Sequence, residues 1–329
     1  MNRRQVIKLG LHAVLAGGLG ALPACRNRPK SSPVRPSLKL GYLPITDHLL
    51  LIAHAIHDFE QLALEPVKYS SWPELAEALR VGAIDAAFLL TPLGLALRRQ
   101  QTPIKAVLLG HRNGSVLTVA AGEGIAEPAG LAGKKIAIPS RFSTHYLLLR
   151  RLLAAAGLPP EAVTYIDMAP PEMVQALAGG RIDGFIVAEP FGAQAEIQGV
   201  GRVLTLSHTI WPDHICCVLN LREEFIQAHP AAVAELTAGL VATGLRIEAD
   251  PAWAAAASVA YLGQAPAVIE FVLTKPPERV TYDNLFPDPV DFAATQEEMG
   301  RSGLEEGRGV KLESYLEPSF AAAVYREGR

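Results

Sequence analysis

Residues 179–192 read GGRIDGFIVAEPFG, and the chain has written nearly the same stretch before, as VGAIDAAFLLTPLG at 81–94. Glu74, Ala78, Leu79, Gly82, Ile84, Asp85, Pro92 and Gly94 return as Glu172, Ala176, Leu177, Gly180, Ile182, Asp183, Pro190 and Gly192, each 98 positions later. Upstream, LKLGYLPI predicts a strand and TDHLLLIAHAIHDF a helix; at the matching offset KKIAIP predicts a strand and STHYLLLRRLLAAAGL a helix. A hydroxyl or carboxylate residue before a leucine-rich run can cap a helix N-terminus, and Gly157 followed by Pro159 stops the second helix. Each copy therefore reads strand, helix, strand (EPVKYSS or VTYIDMA), helix (WPELAEALRVG or PEMVQALAGG), strand. That βαβαβ order predicts a parallel sheet.

Two such copies predict an α/β fold of two Rossmann-like lobes with parallel-type sheets, joined by two crossing strands, with a ligand cleft between. GHRNGSVLTVAAG (110–122) leaves the first lobe, and HICCVLNLREEF (214–225) returns to it, followed by helical stretches. The expected organisation is a first lobe from 38–120, a second from 121–212, and 213–329 returning to the first. Ligands of parallel sheets sit beyond the carboxyl ends of the strands, where helix N-termini present N–H groups. Facing lobes would put both sets of strand ends on one cleft, and two hinge strands would let it close.

Composition narrows the partners. The 329 residues are 50% hydrophobic, enough for two cores, and the net charge of −3 excludes a polyanion-binding field and so nucleic acid. Past the N-terminus no apolar run reaches the ~20 residues of a membrane span. Residues 1–24, with Arg3, Arg4 and Lys8 before a Gly/Ala/Leu stretch, read as a signal peptide. NRRQVIK resembles a twin-arginine signal and LPAC a lipobox, so Cys25 is the expected lipidation site and 25–37 a Pro/Ser-rich tether. The only other cysteines, Cys216 and Cys217, are adjacent. A disulfide between them would be strained, and a strand would point them to opposite faces.

GYLPITDHLLLIAHA, SWPELAEALRVGAIDAAFLLTPLGLAL, STHYLLLRRLLAAAGL, PPEMVQALAGGRIDGFIVAEPFGAQA and VLNLREEFIQAHP resemble the substrate-binding proteins of nitrate/sulfonate/bicarbonate-type ABC importers. The resemblance covers about residues 38–320. It implies a periplasmic-binding-protein fold of the second topological type, no cofactor and no catalysis. It further implies delivery of a solute to an ABC permease with its ATPase, from the periplasmic or cell-surface face of the membrane. A thiamin-pyrimidine-synthesis-like enzyme of the same fold and a periplasmic sensory or metal-binding subunit are the alternatives.

Candidate ligand-binding residues follow from strand ends and from the family pattern. Thr46 and Asp47 stand at the first strand–helix junction, Trp72 after the second strand, and Thr91 at the end of the third. Ser143, Thr144 and His145 form the second lobe's helix N-terminus, which suits an anion, and His145 matches the family's Thr-His position. Glu189 matches the family's Glu-Pro, Phe191 or Trp211 could close the cleft, and His214 is a further ligand candidate. Nitrate- and bicarbonate-binding relatives carry a lysine shortly after the tryptophan of the segment TIWPDHICCV; here no lysine lies between Lys135 and Lys275. A desolvated anion needs a fixed cation, and Arg141 is the candidate supplier. Asp47, His48, His145, His208, His214, Cys216 and Cys217 offer an alternative metal-ligand constellation, with Asp47, His145, His214 and Cys216 as its leading candidates, although no recognised ligand spacing joins them.

Overall fold

The computed structural model describes residues 35–122 and 124–327; the expected signal peptide and Cys25 lie outside these. The strands are β1 (Ser37–Tyr42), β2 (Ala63–Lys68), β3 (Ala86–Leu90), β4 (Ile104–Leu109), β5 (Arg112–Asn113), β6 (Ser115–Ala120), β7 (Lys135–Ile138), β8 (Thr164–Asp167), β9 (Gly184–Ala188), β10 (Gly201–Leu206), β11 (Cys217–Arg222) and β12 (Val280–Thr281). They sort into two five-stranded sheets, β2-β1-β3-β11-β4 and β10-β6-β9-β7-β8, plus the small pair β12-β5.

Read from the other edge, the second sheet is β8-β7-β9-β6-β10, the order of the first. The repeat is thus complete at the level of topology. In each lobe the βαβαβ unit pairs in parallel, β1 with β2 and β3, and β7 with β8 and β9. The fourth position is filled by a strand exchanged between lobes, and that strand is antiparallel: β11 against β3 and β4, β6 against β9 and β10. The sheets are therefore mixed rather than purely parallel. β6, expected within the first lobe, belongs to the second sheet, so the chain crosses between Leu109 and Ser115 and not at residue 120. It returns between Leu206 and Cys217.

The repeated residues turn out to be structural. Asp85 accepts a hydrogen bond from Lys39 N (2.8 Å) and donates its own N–H to Lys39 O. Asp183 does the same with Lys135 N, at 2.7 Å, and Lys135 O. Each aspartate clamps the start of the neighbouring parallel strand in register. Gly82 and Gly180, at φ 76° and 65°, make the left-handed turn that leads into these strands, a conformation glycine adopts without steric cost.

The first helix differs from the sequence expectation. Thr46–Ile52 is a 3₁₀ segment with His48 off helical geometry (φ −111°, ψ 18°), and only Ala53–Ile56 is α-helical. The physical reason is local: His48 Nδ1 accepts Leu43 N–H at 2.8 Å, so the side chain satisfies the incoming loop and pulls its own backbone out of the helix. In the second lobe Ser143 does cap, accepting Tyr146 N–H at 3.1 Å before the helix Thr144–Ala155. Helices Pro230–Ala249, Pro251–Leu262, Pro289–Arg301 and Ser319–Glu327 follow the return strand. Among the described residues no helix is long and apolar enough to cross a membrane.

One departure within the repeat is testable. Ala86 of the first copy becomes Gly184 in the second, because a Cβ at 184 would lie 2.7 Å from the backbone oxygen of Thr118 on the exchanged strand β6. Gly184→Ala should destabilise the protein by about 1–3 kcal/mol through overpacking. Ala86→Gly should cost only about 0.5–1 kcal/mol from backbone entropy. Urea denaturation of the two variants measures the difference.

Candidate ligand cleft and its polar cluster

β11 runs antiparallel to β3 and β4, pairing Cys217 with Leu90 and Val218 with Leu109. The start of β11 therefore meets the carboxyl ends of β1, β3 and β4 on one rim of the first sheet. Asp47 follows β1, His111 follows β4, Cys216 immediately precedes β11 and Cys217 opens it. Their ligand atoms lie within 4.8 Å of one another, and all four residues are buried. His111 Nε2 is 3.0 Å from Asp47 Oδ2, and Cys217 Sγ is 3.7 Å from the same oxygen.

The two cysteines thus serve one cluster instead of pointing to opposite faces. Cys216 stands ahead of the ladder, which begins at Cys217, and its carbonyl is held from outside the ladder. Thr91 N and Oγ1 donate to it at 2.8 and 3.0 Å, and Thr144 Oγ1 donates from the other lobe at 3.5 Å. Both thiols are free.

Other expected ligands turn out to hold the lobes shut. Thr46 donates both its N–H and its hydroxyl to Glu189 O, each at 2.9 Å. Tyr282 Oη donates to Thr46 O at 2.7 Å from the other side. The Glu189 carboxylate is buried and taken up internally: Arg279 Nε donates to Oε1 at 2.7 Å, and Ala193 N donates to Oε2 at 3.0 Å. Burial raises its pKa, and the Arg279 charge works against that shift.

His145 and His214 lie buried near the cluster but outside its ligand set. His145 Nε2 shares a hydrogen bond with Ser115 Oγ at 3.0 Å, and His214 Nδ1 with Trp211 O at 2.8 Å. Desolvation chiefly lowers the pKa of each to about 3, with the His214 and His111 charges contributing to the shift of His145. His111 goes the other way: desolvation would lower it, but Asp47, by charge and hydrogen bond, and then Cys216 raise it to about 10. Burial opposes ionisation of both thiols, yet hydrogen bonds from Cys217 and His111 draw Cys216 below its ordinary pKa. Cys217, beside Cys216 and Asp47, is driven well up.

Trp72 is buried edge-on to His48, with ring centroids 5.3 Å apart. Phe191 packs in the core, and Trp211 is half-buried beneath the Arg151 guanidinium. Arg141 does not reach the cleft. It is exposed and lies 5.9 Å from the ring centroids of Tyr146 and Tyr165, whose π-faces attract it. With Arg279 engaged by Glu189, neither arginine is placed to neutralise an anion at the cluster.

Sequence reasoning missed His111, Arg279 and Ser115. His111 sits in LGHRNG, a turn at a strand end, and a histidine between a strand and a glycine was the available signal. Nothing local marks Arg279, whose partner is 90 residues away.

Polar atoms without partners concentrate here. Asp47 Oδ1, His111 Nδ1, His48 Nε2, Trp72 Nε1, His145 Nδ1 and His214 Nε2 are all buried and unpaired. Each such atom costs about 1–3 kcal/mol. An open cavity of about 760 Å³, lined by residues including Arg112, Asn113, Asp213, Glu248, Asp283 and Asp291, contains none of the four cluster residues.

Residues 31–262 match the NMT1-like family. The chain belongs to that family. It is 31% identical over 227 residues to the nitrate import ATP-binding protein NrtC of Synechocystis sp., covering 62% of this chain and 34% of the relative. It is 29% identical over 231 residues to the nitrate/nitrite binding protein NrtA of Nostoc sp., covering 63% and 52%. The chain thus spans about half or less of the length of these curated relatives. Among solved structures, a ligand-binding component of an ABC-type import system from Staphylococcus aureus, solved with zinc bound, matches with a TM-score of 0.81 at 29% identity. That alignment covers 88% of this chain and 99% of the other. The fold is the two-lobed periplasmic-binding-protein fold.

His145 yields a pH signature. The unfolded chain takes up its proton near 6.5, whereas the folded protein resists until about 3, so the unfolded state binds more protons between these values. Stability is therefore lost as pH falls through that window, by up to about 1.4 kcal/mol per pH unit for one proton. His145→Gln should flatten the profile by that slope, as measured by urea denaturation from pH 7 downwards.

Proposed function

We propose that the chain is an exported, lipid-anchored solute-binding protein that closes two lobes around a small solute and passes it to an ABC permease driven by an ATPase. The observation that carries this reading is the closure itself. Thr46 of one lobe grips the Glu189 carbonyl of the other, and Thr144 reaches back to the Cys216 carbonyl, over a cluster of buried and partly unpaired polar groups. Hydrogen bonds between lobes, laid over unsatisfied polar atoms, are what a capture protein needs.

The similarity to NrtA, and to an ABC-type import component along nearly its whole length, supports a role in import. The similarity to NrtC, an import ATP-binding protein, agrees with an ATPase partner. We read the protein as a carrier without catalytic activity. Export by the signal of residues 1–24, whose NRRQVIK resembles a twin-arginine signal, and anchoring through a lipid on Cys25 complete the proposal.

Two measurements test it. Native mass spectrometry of protein purified from its own cells, with no ligand added, should find one small species bound per chain; uniformly ligand-free protein would contradict capture. Cys25→Ser should move the protein from the membrane fraction to the soluble periplasmic fraction, and continued membrane retention would contradict the anchor.

A further inference from the structure

We propose that Asp47, His111, Cys216 and Cys217 form a four-ligand site for one thiophilic divalent metal ion of the zinc class, and that this ion is the solute the cleft captures. The second half of the proposal rests on the capture reading above; the site itself stands on geometry.

The donor set comes first. Two thiolate sulfurs, an imidazole nitrogen and a carboxylate oxygen suit a borderline-to-soft ion with four-coordinate preference, and they disfavour calcium or magnesium, which take all-oxygen shells. The spacing agrees. Metal–ligand bonds of about 2.0–2.3 Å build a tetrahedron with edges of roughly 3.3–3.8 Å. Of the observed separations, 3.7 Å falls inside that range and 3.0 Å just below it, and the whole set lies within 4.8 Å. Small side-chain rotations would bring four donors onto one ion.

Burial then turns geometry into a requirement. All four side chains are removed from water, yet Asp47 Oδ1 and His111 Nδ1 have no partner. A carboxylate and two thiolates together would carry −3, a charge that cannot be buried unbalanced. A divalent cation reduces it to −1, and binding releases to solvent the two thiol protons and the second proton of the His111 imidazolium, since a ligating histidine is neutral.

The backbone is fitted to the same purpose. Gly114 holds φ +88°, and a Cβ there would stand 2.9 Å from Asp47 Oδ1 and 2.9 Å from His111 Nδ1, both unpaired atoms of the set. Glycine at this crossing leaves them room. All four ligands stand on the rim of the first sheet, so an open protein already presents the complete donor set. The second lobe contributes the cover: Thr144 on the Cys216 carbonyl, with His145 behind it.

The test uses the mature chain, reduced and stripped of metal, titrated with zinc and separately with cobalt(II). One zinc should bind per chain, and cobalt should produce sulfur-to-metal charge-transfer absorption together with the visible bands of a tetrahedral ion. Cys216→Ser, Cys217→Ser and His111→Ala should each weaken zinc binding by more than about a hundredfold, beyond the 10–100-fold typical of losing an outer-shell partner. Arg141→Ala should bind as the parent does. Circular dichroism and thermal melting establish that each variant is folded. Should one cysteine variant not fold, Asp47→Asn serves the same comparison.

Absence of charge-transfer bands, or unchanged affinity in a folded Cys216→Ser/Cys217→Ser double variant, overturns the site. Small-angle scattering separates the two halves of the proposal. Thiolate-bound zinc that contracts the protein supports both. Thiolate-bound zinc without contraction keeps the site and overturns its role as cargo. Contraction with a polyatomic anion in a protein that binds no zinc overturns the site and leaves solute capture standing.

Discussion

Two backbone carbonyls organise this molecule. The oxygen of Cys216 accepts hydrogen bonds from Thr91 in its own lobe and from Thr144 in the other, and the oxygen of Glu189 accepts two from Thr46 across the cleft. Both carbonyls occur where a strand meets the cleft, Cys216 just before β11 and Glu189 just after β9. Closing the lobes satisfies these groups, and in doing so it seals Asp47, His111, Cys216 and Cys217 away from water. In the proposed metal site, the cost of burying that set is what a bound ion would offset. The Glu189–Arg279 pair, buried at the same junction, is a second polar commitment that only a closed or nearly closed arrangement can keep satisfied.

Much of the fold was legible because the chain is written twice. The Gly-x-Ile-Asp turns share an offset, and each of their aspartates clamps a neighbouring strand, so the spacing reflects a real mechanical need. The exchange of β6 and β11 was only half legible. Their apolar character was plain, but no single-strand pattern tells which sheet a strand joins, and β6 was assigned to the lobe it leaves. The 3₁₀ start at Thr46 escaped notice for a different reason. A leucine-rich run predicts a helix, and the competing hydrogen bond from Leu43 N–H to His48 depends on loop geometry that the run does not encode.

The site was legible by location more than by membership. Strand ends pointed to Asp47, Thr46, Thr91, Thr144 and Glu189, and all of them lie at the junction of the lobes. What each does there depends on partners distant in sequence. Glu189 finds Arg279, Arg141 is drawn off by two tyrosines, and the threonines spend their donors on carbonyls. The metal set anticipated from the sequence, Asp47, His145, His214 and Cys216, kept Asp47 and Cys216 but exchanged both histidines. Cys217, from the wider constellation, and His111, which the sequence reading missed, take their places, because β4 ends beside β11 and because Cys216 stands outside the ladder that would have separated the two sulfurs.

The central claim is that one rim of the first sheet carries a sulfur-rich site which lobe closure covers. X-ray absorption at the zinc edge, on protein loaded with one zinc per chain, tests it most directly. The account predicts two sulfur scatterers at about 2.3 Å and two nitrogen or oxygen scatterers at about 2.0–2.2 Å. A shell of nitrogen and oxygen alone, with no sulfur, would contradict it.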